Sequence, residues 1–94
     1  MNVRESLAEI DDEILMAEGF DEAVIGYAQR CGQPTVAVYD REKCIGILMQ
    51  RDGMSHEDAE EFFEFNVAGA WVGERTPMFL CRLVFDQERG GDAE

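Results

Sequence analysis

Basic side chains are scarce in this 94-residue chain: eight Lys and Arg stand against 21 Asp and Glu, a formal net charge of −13. A protein that binds the nucleic-acid backbone needs clustered cations to displace counterions. Here Arg4, Arg30, Arg41, Lys43, Arg51, Arg75, Arg82 and Arg89 are scattered, most of them beside acidic residues. Direct binding of DNA or RNA is therefore not expected, nor is docking on an anionic membrane. Histidine occurs once, at His56, in what reads as the first turn of a helix. No nucleophile motif accompanies it, and no GxGxxG, Walker A or HExxH pattern occurs. The acidic clusters lack the alternating ligands and turn glycine of a calcium loop. Neither catalysis nor a metal or cofactor site is expected. The three cysteines, Cys31, Cys44 and Cys81, are odd in number and have no CxxC spacing. Cys44 and Cys81 fall within apolar runs and read as buried free thiols, which suits a reducing cytoplasm. No signal peptide opens the chain and no apolar run approaches the ~18 residues of a membrane span. A soluble, intracellular protein is expected.

What is present is an ordinary apolar fraction of 46%, enough for one folded domain over residues 1–86 with a flexible acidic tail over 87–94. Val3, Leu7, Ile10 and Ile14 recur at helical spacing and predict an amphipathic helix over about residues 3–13. Ile14–Met16 suits either its continuation or the opening of a strand, and Gly19 breaks either one. Two short β-branched runs, Ala23–Ala28 and Thr35–Tyr39, flank a turn-like stretch over residues 30–34 and read as a hairpin. Asp40 caps a following helix that stops at Gly53, and Ser55 caps another. Gly73 and Pro77 end that second helix, and Met78–Phe85 reads as a last strand buried on both faces. The order α-β-β-α-α-β predicts an α+β domain with its helices on one face of a three-stranded antiparallel or mixed sheet.

Read as a helix, residues 55–72 gather Glu57, Glu60, Glu61 and Glu64 within about a quarter-turn. Like charges three and four apart cost a helix roughly 0.2–0.5 kcal/mol each, and no Lys or Arg lies between positions 52 and 74 to relieve them. Two readings suit this pattern: a solvated helix face, or a partner-binding face. Four charges over about 10 Å of helix rise approach the charge density of duplex DNA within about a factor of two, so the sharper form of the second reading is a nucleic-acid decoy facing a basic protein. Phe65 and Trp71 lie at the rim of the apolar stripe behind these glutamates. Asn66 sits in its middle and reads as a buried structural amide that fixes helix docking. Gly69, unfavourable within a helix, implies close packing against another element.

The segment Tyr39-Asp40…Lys43-Cys44-Ile45…Leu48-Met49…Asp52-Gly53-Met54-Ser55…Ala59-Glu60-Glu61…Phe65-Asn66-Val67…Gly69-Ala70-Trp71-Val72-Gly73-Glu74…Thr76-Pro77 resembles a set of small uncharacterised bacteriophage and prophage proteins. Their shared pattern runs YDxxKCIxIL…DGMxxEEAxExFEFNVxGAWVGExTPxF, preceded by a GFDxAxIG-like stretch that matches Gly19–Gly26. The resemblance covers residues 19–80. It carries over no activity, cofactor or catalytic residue. It does imply a phage context, in which small acidic proteins bind host defence or nucleic-acid enzymes and some CRISPR inhibitors imitate DNA. A homodimer that uses the aromatic rim and the last strand, with the charge serving solubility alone, is the alternative.

Overall fold

The computed structural model describes residues 2–83. The end of the expected last strand and the tail expected from residue 87 lie outside them. The element order is α1 (Val3–Ile10), a 3-10 turn (Asp21–Ala23), β1 (Val24–Ala28), β2 (Val36–Asp40), α2 (Arg41–Asp52), α3 (His56–Phe63), one π-helical turn (Glu64–Ala68) and β3 (Met78–Leu80). This is the expected α+β order. The strands form one mixed sheet in the order β1-β2-β3, with β1 antiparallel and β3 parallel to the central β2. A parallel pair requires a crossover connection. The α2–α3 hairpin supplies it and covers one face of the sheet.

Local chemistry sets most of the boundaries. Asn2 accepts the Glu5 N–H at 2.9 Å and starts α1. That helix stops three residues short of the expected end. Asp11 turns extended and its carboxylate accepts the Glu13 N–H at 3.0 Å, an Asx turn that competes with further helix. Asp40 caps α2 by accepting from Glu42 and Lys43, Gly53 ends it at φ 68°, and the Ser55 hydroxyl caps α3 by accepting from Asp58. Gly19 also has positive φ, 86°, and a Cβ there would lie 2.6 Å from the Arg51 guanidinium. Arg51 uses the space to donate to the Gly19 carbonyl at 3.2 Å and to cover the Phe20 ring.

The core is one cluster joining Leu7 of α1, Ala37 and Tyr39 of β2, Cys44, Ile45 and Leu48 of α2, and Ala59 and Phe63 of α3. Ala37 and Tyr39, two apart on a strand, share the covered face. The Tyr39 hydroxyl accepts the Ala17 N–H at 2.7 Å, which anchors the irregular 11–20 segment; Ile14–Met16 is neither helix nor strand. Phe79 brings β3 into the core, its ring 5.5 Å from Tyr39 and edge-on to Phe63 at 5.0 Å.

The last strand departs from expectation. Among the described residues only Met78–Leu80 pairs, and its exposure alternates, with Met78 and Leu80 outward and Phe79 inward. The physical reason is its partner: Leu80 lies opposite Asp40, where β2 ends and the chain turns into α2. Cys81, read as buried, is exposed, as is Cys31. Cys44 is fully buried, and burial, reinforced by the Asp40 charge, pushes its thiol up to about 12. A disulfide reagent should therefore titrate two thiols rapidly in the native protein and the third only on unfolding in denaturant. Three fast thiols would show that the core is open around Cys44.

Candidate functional site

The face expected to carry function begins at α3. Glu57 and Glu61 stand exposed, and no ion pair among the described residues involves either. Glu60 and Glu64 differ. Arg41, the first residue of α2, reaches across the helix pair and donates to Glu64 at 2.6 Å and to Glu60 at 3.5 Å. Its guanidinium lies 5.5 Å over the buried Phe63 ring and its side chain is only 16% exposed. The bond to Glu64, set against partial burial, raises the Arg41 pKa further above its ordinary value. The expected field of four carboxylates is thus divided: Glu57 and Glu61 have no cation among the described residues, while Glu60 and Glu64 share the single Arg41 with Glu42. The correction has a plain cause: the relieving cation comes from another helix, 19 and 23 residues away in sequence.

The same sorting applies elsewhere. Arg4 is held by Asp21, Arg51 by Asp52, Arg75 by Asp11 and Glu13, and Arg82 by Asp40. The Glu13 N–H and then Arg75 hold the Asp11 carboxyl below the usual range. With these arginines engaged, the described cations do not combine into the basic stripe that phosphate binding needs.

Beyond Phe63 the helix widens into the π turn and then ends, short of the helix expected through residue 72. Gly69 is needed here for the chain's own sake: a Cβ would lie 2.9 Å from the Glu64 carbonyl oxygen and 3.3 Å from that of Phe65. No second element is involved, contrary to expectation. The wider turn also rotates Asn66 out of the core. It is exposed, and its Nδ2 donates to the Phe62 carbonyl one turn back at 3.2 Å. The buried structural role expected of Asn66 is therefore corrected; its amide is satisfied locally and stands on the surface. Phe65 and Trp71, expected at a rim, are 77% and 73% exposed, and Val72 is 61% exposed. Large aromatics that surrender so little surface on folding are the side chains that anchor protein interfaces.

Asn66 forms a ridge between two hollows. One, about 400 Å³, is bounded by Met54, Asp58, Glu61, Phe62 and Phe65. The other, about 490 Å³, opens between the 15–20 segment and the stretch from Val67 to Phe79. This second hollow was not anticipated. The only sequence signal for it was the apolar Ile14–Met16 run, which fits no regular element. Among the described residues no three His, Cys, Asp or Glu side chains come together as a metal ion would require. His56 is exposed at the start of α3, and no helix among the described residues is long and apolar enough to cross a membrane.

Around Asn66 the surface combines the Glu61 carboxylate, the exposed Phe65 ring and an outward amide over two hollows, a composition suited to contact with another macromolecule. Comparison of the chain with models of protein families, with curated proteins and with solved structures gives no match.

Proposed function

We propose that this domain is a non-catalytic, phage-type binding protein that acts in the host cytoplasm by docking on a basic surface of a host or phage protein that handles nucleic acid. The observation that carries the reading is that exposed Phe65 borders the same hollow as Glu61, a carboxylate with no ion pair among the described residues, with Glu57 one helical turn before Glu61 and Trp71 also exposed. Aromatic anchors supply affinity once desolvated, while surrounding carboxylates speed capture of a cationic partner and reject anionic ones. The net charge of −13 extends that steering to the whole molecule. Because Arg41 occupies Glu60 and Glu64, the reading favours a mixed aromatic and acidic contact over charge-for-charge imitation of duplex DNA. Inhibition of a host defence enzyme, CRISPR nucleases included, is the form this takes in a phage setting.

The test is recovery of partners by the tagged chain from phage-infected cells, at two salt concentrations. Recovery of a nucleic-acid-handling protein, weakened by salt, is expected. The Glu57→Lys/Glu61→Lys variant should lose that protein at least tenfold. Arg41→Gln, which releases Glu42, Glu60 and Glu64 beside the two that have no cation among the described residues, should retain it or hold it more tightly. Recovery of nothing but the chain itself, or indifference to the double reversal, would overturn the reading.

A second reading, self-association, is favoured by the exposed apolar residues of β3 and just beyond: Met78 at 54%, Leu80 at 43% and Leu83 at 77%. An edge strand with such side chains and no lysine or proline invites pairing. A dimer that sediments unchanged between low and high salt would support it.

A further inference from the structure

We infer that the 490 Å³ cleft receives one aromatic or branched aliphatic side chain from a partner segment whose flanking residues are Lys or Arg. This rests on the binding-protein reading above and names what that partner presents.

The lining supplies the first argument. Leu15, Met16, Phe20, Val67, Val72 and Phe79 converge on the cleft, and its volume falls in the range of sites that enclose a small organic group. Of the polar side chains that line it, Glu18, Asn66 and Thr76, Thr76 is already engaged on both sides: its hydroxyl donates to the Gly73 carbonyl at 2.6 Å and accepts the Val72 N–H at 2.9 Å. A polar or charged side chain entering there would lose water without gaining a partner, so the occupant is apolar. The rim is different. Asn66 lines the opening, and its Nδ2 is committed to Phe62, which leaves its carbonyl oxygen to accept a backbone N–H from an extended segment.

Charge decides among occupants. The residues that line the cleft carry one charge, Glu18; the chain next to them adds Asp11, Asp12, Glu13, Glu64 and Glu74 against Arg75, with Glu64 held by Arg41. Arg75 is taken by Asp11 and Glu13. Glu18, at the lip, is 89% exposed and only 3.4 Å-paired to Arg4. The chain's own residues 84–94 hold four carboxylates and one arginine, and a second copy brings another net −13. Both are repelled where a basic segment is attracted.

The probe is a capped nonapeptide, Lys-Gly-Arg-Lys-Trp-Lys-Arg-Gly-Lys, with a control in which glycine replaces the tryptophan. Each is titrated into the ¹⁵N-labelled full chain and followed by amide shifts. The tryptophan peptide should bind at least tenfold more tightly, with the largest shifts at Leu15, Ala17, Val67 and Val72. Ala70→Phe, which fills the cleft, and Leu15→Arg, which sets a cation at its lip, should each reduce the affinity to that of the control while leaving the folded amide spectrum intact. Equal affinities for the two peptides, with salt-sensitive binding of both, would sink the cleft assignment and leave the acidic binding face standing. No binding of either peptide would remove both. Cleft amides that ignore the peptide but move on Phe85→Ser would assign the cleft to the chain's own tail, and shifts that depend on protein concentration would assign it to a second copy; either result overturns the proposal.

Discussion

Phe63→Ala is expected to remove about 3–5 kcal/mol of folding free energy. A domain of 94 residues holds roughly 5–14 kcal/mol in total, so this single change should leave the protein near its unfolding threshold. The ring is fully buried, meets Phe79 edge-on at 5.0 Å and lies under the Arg41 guanidinium. Its removal therefore opens a cavity between α3 and β3 and takes away the surface on which Arg41 rests. Two readouts should move together. The urea midpoint should fall with little change in slope, and the native spectrum should show Glu60 and Glu64 released from their cation. Phe62→Ala, one position earlier and 40% exposed, should cost less than half as much. Equal losses at the two positions would mean that α3 is rotated relative to the sheet.

Asp40→Ala is expected to cost about 2–3 kcal/mol, since it removes a helix cap worth ~0.5–2 kcal/mol together with a charge-assisted bond. Asp40 is 4% exposed, accepts from the Glu42 and Lys43 N–H groups at the start of α2, and takes Arg82 Nε at 3.1 Å. Burial works against its ionised form, but Arg82 and the two cap N–H groups outweigh burial and hold the carboxyl below the usual range. The sign of the pH dependence follows. A depressed folded-state pKa contributes stability in full above the unfolded value near ~3.9, and that contribution disappears as pH falls through the folded value. Asp11 shifts in the same direction and adds to the same window. Asp40→Asn should keep most of the cap and flatten the stability profile below pH about 4 relative to the parent. Comparing parent and variant at each pH cancels the repulsion that acid relieves among the other carboxylates. Identical profiles would show that the Asp40 charge contributes nothing to the fold.

The start of α2, its stop at Gly53 and the start of α3 were legible in the sequence because they depend on groups within three or four residues; the ends of α1 and α3 were not. Asp40, Gly53 and Ser55 act through hydrogen bonds and a left-handed turn that any observer can place from the chain alone. The hairpin was legible for the same reason: β-branched runs flanking a glycine and proline turn have few other uses. Errors began where a segment's fate depends on a distant neighbour. The run from Met78 has strand composition throughout, yet among the described residues it pairs over three, because β2 ends opposite Leu80. Asn66 falls on the apolar stripe of a regular helix, and the π turn moves it to the surface.

The sequence by itself determined the sign and size of the surface charge, the α+β order and the presence of surplus aromatics near an acidic helix. Composition and short-range periodicity are sufficient for those, since neither changes when elements pack. Only the tertiary structure decided which carboxylates remain available. Arg41 and Glu64 are 23 residues apart in the chain and 2.6 Å apart in space, and ion pairing follows the second distance. The cleft beside Asn66 arises likewise where the irregular 15–20 segment folds against the stretch from Asn66 to Phe79, and no local pattern encodes such an enclosure.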